Sequence, residues 1–238
     1  MEATSDTPSA ADAAAPQTNN ARNRARHNQL HSHGNYHNYY SFRAQQVPDP
    51  RLALLASHLL SKRVLDLGCN AGKLTKEVIT HFSAASALGA DLDPVLIAQA
   101  EAAPSPRNCT FRLQDFLVPG WVATAAEERF DIVLLLSVTK WIHLNALDAG
   151  LLALFREVHD RMLVEGGVLV VEPQEWDNYK RAVRKAPHLK PGFAMLELRP
   201  PFLEALAGVG FTLEEDIARE EGGFSRPLHV WRKGPSPG

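Results

Sequence analysis

The stretch Val64-Leu-Asp-Leu-Gly-Cys-Asn-Ala-Gly72 decides the fold. A short apolar strand, expected over Val64–Leu67, runs into a turn with two glycines. Leu74–Phe82 then repeats apolar residues at helical spacing. A strand, a glycine turn and a helix form the ligand-binding corner of a doubly wound sheet, where ligands sit beyond the carboxyl ends of the strands. Gly68 lets the backbone approach a ligand closely, and Gly72 lets the turn close against the helix. A second strand, expected over Ala85–Asp91, ends in a carboxylate 23 residues after Gly68, placed to accept both hydroxyls of a ribose. Asn70 stands where the second glycine of G-x-G-x-x-G would admit a pyrophosphate, so the spacing disfavours a dinucleotide such as NAD. Asp66 would repel a pyrophosphate and suits a cationic, amino-acid-bearing ligand. Asp115, after the third strand, can accept from an adenine amino group. Each acid taken singly could be an ordinary strand-end residue; three at successive strand ends point to a nucleoside.

Outward from this corner the pattern keeps alternating. Pro94–Ala102 reads as a helix with proline in its first turn, Cys109–Leu113 and Phe130–Leu136 as strands three and four. Asp148–Leu163 is expected to be one long amphipathic helix, ended by the Glu-Gly-Gly turn at 165–167, with Val168–Glu172 as the fifth strand. Pro201–Val209 reads as a helix, and Phe211–Glu215 and Pro227–Trp231 as the last strands. Upstream, Arg51–Leu60 reads as a helix leading into the core. The expectation is an α/β, Rossmann-like fold: one mostly parallel, seven-stranded sheet with helices on both faces.

Composition bounds the rest. The 238 residues carry 25 Lys and Arg against 27 Asp and Glu, a formal charge of −2, which argues against a sequence-wide basic coat for nonspecific nucleic-acid packaging but allows a local basic groove. Residues 1–29 contain no Val, Ile, Leu, Phe, Trp or Tyr and are expected to be a disordered tail, leaving 30–238 as the folding domain. The tail's acids argue against a transit peptide, and no apolar region suggests secretion. Arg22, Arg24 and Arg26 read as a solvated linker or as an arm for phosphate or nuclear import. Cys69 and Cys109, the two cysteines, exclude a disulfide framework. No apolar run approaches the roughly 20 residues of a membrane span. Between His31 and Arg43, four aromatics and three histidines suit a stacking lid over a planar ligand better than a metal site, and no metal is expected.

Four segments narrow the family: Gly-Asn-Tyr-His-Asn-Tyr-Tyr at 34–40, Leu-Asp-Leu-Gly-Cys-Asn at 65–70, Ser-Val-Thr-Lys-Trp-Ile-His-Leu-Asn at 137–145 and Val-Glu-Pro-Gln-Glu-Trp at 171–176. The glycine turn resembles the S-adenosylmethionine site of class I methyltransferases. Together the four resemble the Bicoid-interacting-protein-3 family of RNA methyltransferases, the methylphosphate capping enzymes. One branch methylates the γ-phosphate of a 5′-triphosphate, as on 7SK small nuclear RNA; another methylates a 5′-monophosphate, notably on a transfer RNA. Tyr39-Tyr40 and Lys140 look like the first branch, and Asp115-Phe116 replace the family's usual Asn-Tyr.

The resemblance implies S-adenosylmethionine as cofactor, in a pocket lined by Tyr40, Arg51, Gly68, Cys69, Asn70, Asp91, Leu92, Asp115, Phe116 and Leu136, with Arg51 gripping the cofactor carboxylate bidentately. It implies Ser137, Lys140 and His143 as phosphate anchors, and Tyr39, Glu172 and Trp176 facing the RNA 5′ end, with Trp176 as a base-stacking ring and Trp141 in the core. Lys180, Arg181, Arg184, Lys185 and Lys190 form a dense basic run suited to RNA-backbone contact, or else a solvated helix face. Implied partners are a small noncoding RNA and proteins of its ribonucleoprotein; a nuclear monomer is expected. A 5′-monophosphate methyltransferase, or an RNA-binding subunit with incidental catalysis, is the competing reading.

Overall fold

The computed structural model describes His33 and residues 47–121, 129–218 and 226–235. The tail, Tyr39 and Tyr40 lie outside the described residues. Seven strands, β1 Arg63–Leu67, β2 Ser86–Asp91, β3 Cys109–Leu113, β4 Phe130–Leu136, β5 Leu163–Glu172, β6 Phe211–Ile217 and β7 Leu228–Lys233, form one sheet in the order β3-β2-β1-β4-β5-β7-β6. The first five in chain order pair in parallel. β7 runs antiparallel to both β5 and β6. The chain builds outward from β1 to β3 and then returns to place β4 on the other side of β1. That reversal opens a crevice between the carboxyl ends of β1 and β4.

β4 shows why the sheet is covered on both faces. Ile132, Leu134 and Leu136 pack with Leu52 of helix α1 (Pro50–Leu54), Leu59 of α2 (Ala56–Leu59) and Leu55 between them, and with Leu74 and Val78 from α3 (Lys73–Thr80). The alternate residues Val133 and Leu135 join Trp141, Leu151, Leu154 and Phe155 on the opposite face. A strand buried on both sides reads as a continuous apolar run, as Ile132–Leu136 does. Helix α4, Pro94–Ala102, has the expected bounds, because Asp93 accepts from the amides of Val95 and Leu96 just before Pro94 starts the turn. The expected helix over Arg51–Leu60 is instead α1 and α2, broken at Leu55.

Two expected boundaries are corrected. Helix α5 spans Thr139–Glu157, starting well before Asp148, with a kink at Leu147 (φ 58°, ψ −172°), and a wider π-type turn over Val158–Met162 ends it. The expected glycine terminator at 165–167 lies inside β5. Phe130 of β4 pairs with Leu163 and Ile132 pairs with Val168, two steps on one strand against five on the other. The three surplus residues bulge out, and Gly166 adopts φ 67° there. The start of α5 has no local cap. Its cap comes from Gln174, whose Oε1 accepts from Thr139 Oγ1 (3.1 Å) and from the Lys140 amide (3.0 Å). The remaining helices are α6 Trp176–Lys185, α7 Lys190–Ala194 and α8 Leu203–Val209.

Candidate functional site

The crevice between β1 and β4 is a cleft of about 950 Å³, its open mouth included. One wall comes from the turn after β1. Gly68 (φ 80°) and Cys69 donate their amides to the carbonyl of Ala90 at 2.8 and 3.1 Å, tying the turn to β2. A Cβ on Gly68 would lie 2.8 Å from Val138 Cγ2, so the turns after β1 and β4 touch directly. Asp91 Oδ2 accepts from the Asn70 amide (2.8 Å) and Oδ1 from the Asp93 amide (3.0 Å), leaving further lone pairs toward the cleft. Burial raises the Asp91 carboxyl above the usual range, against the pull of those amides. Asp66, at the floor, accepts from Thr75 Oγ1 at 2.7 Å; burial pushes it up to about 6. Leu92, Asp115, Phe116 and His33 close one side, and Leu136, Ser137, Val138, Trp141 and Asn145 the other. His33, from the segment expected to form a lid, lines the cleft, as does Trp141, which was not assigned to it from sequence and is also in the core as expected.

Four of the assigned side chains are engaged by partners within the protein. Arg51 lines the cleft, yet its fork is spent on protein: Nε and Nη2 donate to the two oxygens of Asp49 at 3.0 Å each, and Nη1 to Glu172 at 2.9 Å. Asp49 is its bidentate partner in this structure. Glu172 is fully buried and accepts from Arg51 and from the Ser137 hydroxyl, making it an internal strut instead of a residue facing RNA. His143 is fully buried too. Its Nδ1 lies 3.2 Å from the Tyr179 hydroxyl and its Nε2 2.5 Å from Asp148, which also accepts the amides of Glu197 and Leu198. Burial lowers the His143 pKa, against Asp148. Both ring nitrogens serve packing, so His143 does not reach the cleft. Trp176 gives its ring to protein neighbours: Phe193 stacks at 4.8 Å, Tyr179 lies at 4.9 Å and the Arg199 guanidinium at 4.0 Å.

Lys140, on the first turn of α5, lies with its ammonium 4.4 Å from the Trp141 ring centroid. Its pKa is lowered to about 8, first by burial and then by three cations, Arg226, Lys185 and Arg181. Arg181, Arg184 and Lys185 stand exposed on α6 beside Lys180, which pairs with Asp177 at 2.9 Å, while Tyr179, Ala182 and Val183 turn inward. The spacing of 180, 181, 184 and 185 puts all four on one helical face. Arg226 escaped the sequence reading. Its Nη1 donates to Ser137 Oγ at 2.9 Å. The one signal was topological: β7 is antiparallel, so its leading residue meets the edge where the parallel strands end.

Set against known proteins, residues 130–233 match the Bicoid-interacting protein 3 family and residues 64–167 match a methyltransferase domain family. The U6 snRNA methylphosphate capping enzyme Amus of Drosophila melanogaster is 34% identical over 224 residues, covering 84% of this chain and 74% of that one. This chain belongs to the Bicoid-interacting protein 3 family. The human RNA 5′-monophosphate methyltransferase is 34% identical over 185 residues, 64% of this chain and 61% of that protein. Among solved structures, magnesium protoporphyrin IX methyltransferase from Synechocystis with bound SAH superposes with TM-score 0.58 at 18% identity, covering 88% of this chain and 98% of that one. The fold is that of the class I S-adenosylmethionine-dependent methyltransferases, and S-adenosylmethionine is the cofactor of that fold.

Proposed function

We propose that this protein transfers a methyl group from S-adenosylmethionine to the 5′-terminal γ-phosphate of a small noncoding RNA. One observation carries the reading: a cleft lined by Asp66, Asp91 and Asp115 also takes in Ser137 and Trp141 at the start of α5, and Lys140 lies with its ammonium 4.4 Å from the Trp141 ring centroid, among the cations Arg226, Lys185 and Arg181. The residues fit the cofactor. Asp91 suits the ribose hydroxyls, Asp66 the α-ammonium and Asp115 the adenine amino group, while Gly68 and Gly72 leave room where a side chain would collide with neighbours. A carboxylate floor favours a cation, and the neighbouring cluster favours a polyanion.

The cofactor, when bound, supplies an electrophilic methyl group. A terminal phosphate oxygen is already anionic near neutral pH, so no residue must remove a proton from it. The protein's part is to hold that oxygen in line at near-attack distance and to exclude other orientations. Lys140 does this as a point charge, with Ser137 beside it. Too strong a pull on the reacting oxygen would lower its nucleophilicity, so these groups position the phosphate rather than activate it. Arg181, Arg184 and Lys185 would carry the RNA backbone away from the cleft. The family relationship to capping enzymes of small nuclear RNAs supports a nuclear RNA substrate.

Matched RNAs ending in a 5′-hydroxyl, 5′-monophosphate or 5′-triphosphate, incubated with the protein and methyl-labelled cofactor, test the proposal. Label on the triphosphate RNA alone, or by far most strongly there, is expected. Label confined to the monophosphate RNA would transfer the function to the other branch, which the human relative represents. No label on any RNA would overturn the enzymatic reading.

A further inference from the structure

Arg226 immediately precedes Pro227 and β7, and β7 lies antiparallel to β5 with Val171 opposite His229. Continuing that register carries Arg226 past the carboxyl end of β5, beside Glu172 and Gln174. There its Nη1 donates to Ser137 Oγ, and Ser137 lines the cofactor cleft. The same hydroxyl donates to Glu172, itself bonded to Arg51. Ser137 is therefore a fixed post: its backbone is left-handed (φ 65°), its carbonyl accepts from Gln174 Nε2 and its hydroxyl joins Arg226 to the buried Glu172. Arg226 is half-buried, so its charge acts in a medium less polarisable than bulk water.

We propose that Arg226 is a phosphate-binding residue that makes the enzyme selective for a 5′ end carrying several phosphates. The inference rests on the proposed function. Lys140 and Arg226 approach the turn 137–140 from different elements, α5 and the start of β7, so they present two separate cationic contacts. A triphosphate has enough anionic groups to engage both at once. A single phosphate held for methyl transfer has one group to offer and gains less from the second cation. Guanidinium is the fitting chemistry, because its planar fork matches two phosphate oxygens while its remaining donors keep a protein contact such as that to Ser137.

The test compares wild type, Arg226→Gln and Arg226→Lys on matched 5′-mono- and 5′-triphosphate RNAs, alongside calorimetric binding of inorganic tripolyphosphate. Arg226→Gln should lower kcat/KM on the triphosphate RNA by about tenfold or more, and on the monophosphate RNA by about threefold or less. Tripolyphosphate affinity should fall in step, and Arg226→Lys should recover part of both losses by restoring charge without the fork. Equal losses on both RNAs, or unchanged tripolyphosphate affinity in a variant whose melting temperature matches wild type, would overturn the inference. If wild type methylates neither RNA, the proposed function fails; tripolyphosphate binding that depends on Arg226 would still establish the anion site.

Discussion

Raising the pH from about 7 to about 9 should strip Lys140 of its charge and uncouple the enzyme from phosphate-ended RNA. Its pKa is lowered to about 8 by burial and by Arg226, Lys185 and Arg181. The charged fraction therefore falls from about nine-tenths to about one-tenth over that interval. If the ammonium is the binding form, kcat/KM for RNA should drop about tenfold, since that parameter reports ionisations of the free enzyme. Bound phosphate favours the ammonium, so the corresponding limb in kcat should lie at higher pH. The assay is initial rate at saturating cofactor and low RNA, with ionic strength held constant. Lys140→Arg should flatten the limb, because guanidinium stays charged throughout. Replacing Arg181 and Lys185 together by Gln should move the limb upward, toward the ordinary lysine value of 10.5. Unfolding is separable by sign. A lysine whose folded pKa lies below its unfolded value weakens the fold when charged, so its contribution improves as pH climbs from about 8 to 10.5. A flat wild-type profile, or an unchanged limb in Lys140→Arg, would refute the assignment.

Three further outcomes follow from the same geometry. Glu172→Ala leaves Arg51 fully buried with one carboxylate partner fewer, and should cost about 3–5 kcal/mol in urea unfolding; Glu172→Gln should cost less, and a loss under about 1 kcal/mol for the alanine variant would show that the ion pair is not a strut. Cofactor affinity, measured by calorimetry, should weaken as pH falls through about 6, where Asp66 takes up a proton, and Asp66→Asn should be weak and free of that pH dependence; a wild-type affinity constant across that range would remove Asp66 from the site. Gly72→Ala must hold a left-handed φ of 74°, at about 1–2 kcal/mol, and place Cβ 2.4 Å from the Phe111 ring, so its unfolding midpoint should drop clearly; an unchanged midpoint would contradict the packing of this turn.

The glycine corner was legible because its information is local. Strand, turn and capping residues for β1, α3 and α4 lie within a few positions of each other, and Asp93-Pro94 marks its own helix start. The carboxylates at 66, 91 and 115, each marked by its own strand end, were readable as candidates for one pocket, and all three line the cleft. The start of α5 was not readable, because Gln174 supplies its cap from 34 residues away and Ser137 turns through a left-handed conformation that serine does not advertise. The Glu-Gly-Gly at 165–167 carries the same letters whether it ends a helix or bulges a strand; the pairing with β4 chose the bulge.

Residue identity also misled where burial sets the role. His143 and Glu172 have the chemistry of an active site, and in this chain their polar atoms satisfy Tyr179, Asp148, Arg51 and Ser137 inside the protein. A buried polar group must find a partner, and the partner nearest in space, not in sequence, decides what it does. The sequence alone determined the class of fold, the cofactor corner and the basic run on α6, since each depends on spacing along one segment. Only the tertiary structure decided which charges meet: it sealed Arg51 between Asp49 and Glu172, turned His143 inward, and brought Arg226 from the far end of the chain to Ser137. Side-chain spacing is a property of the chain, whereas an electrostatic site exists only where the sheet draws separate strand ends together.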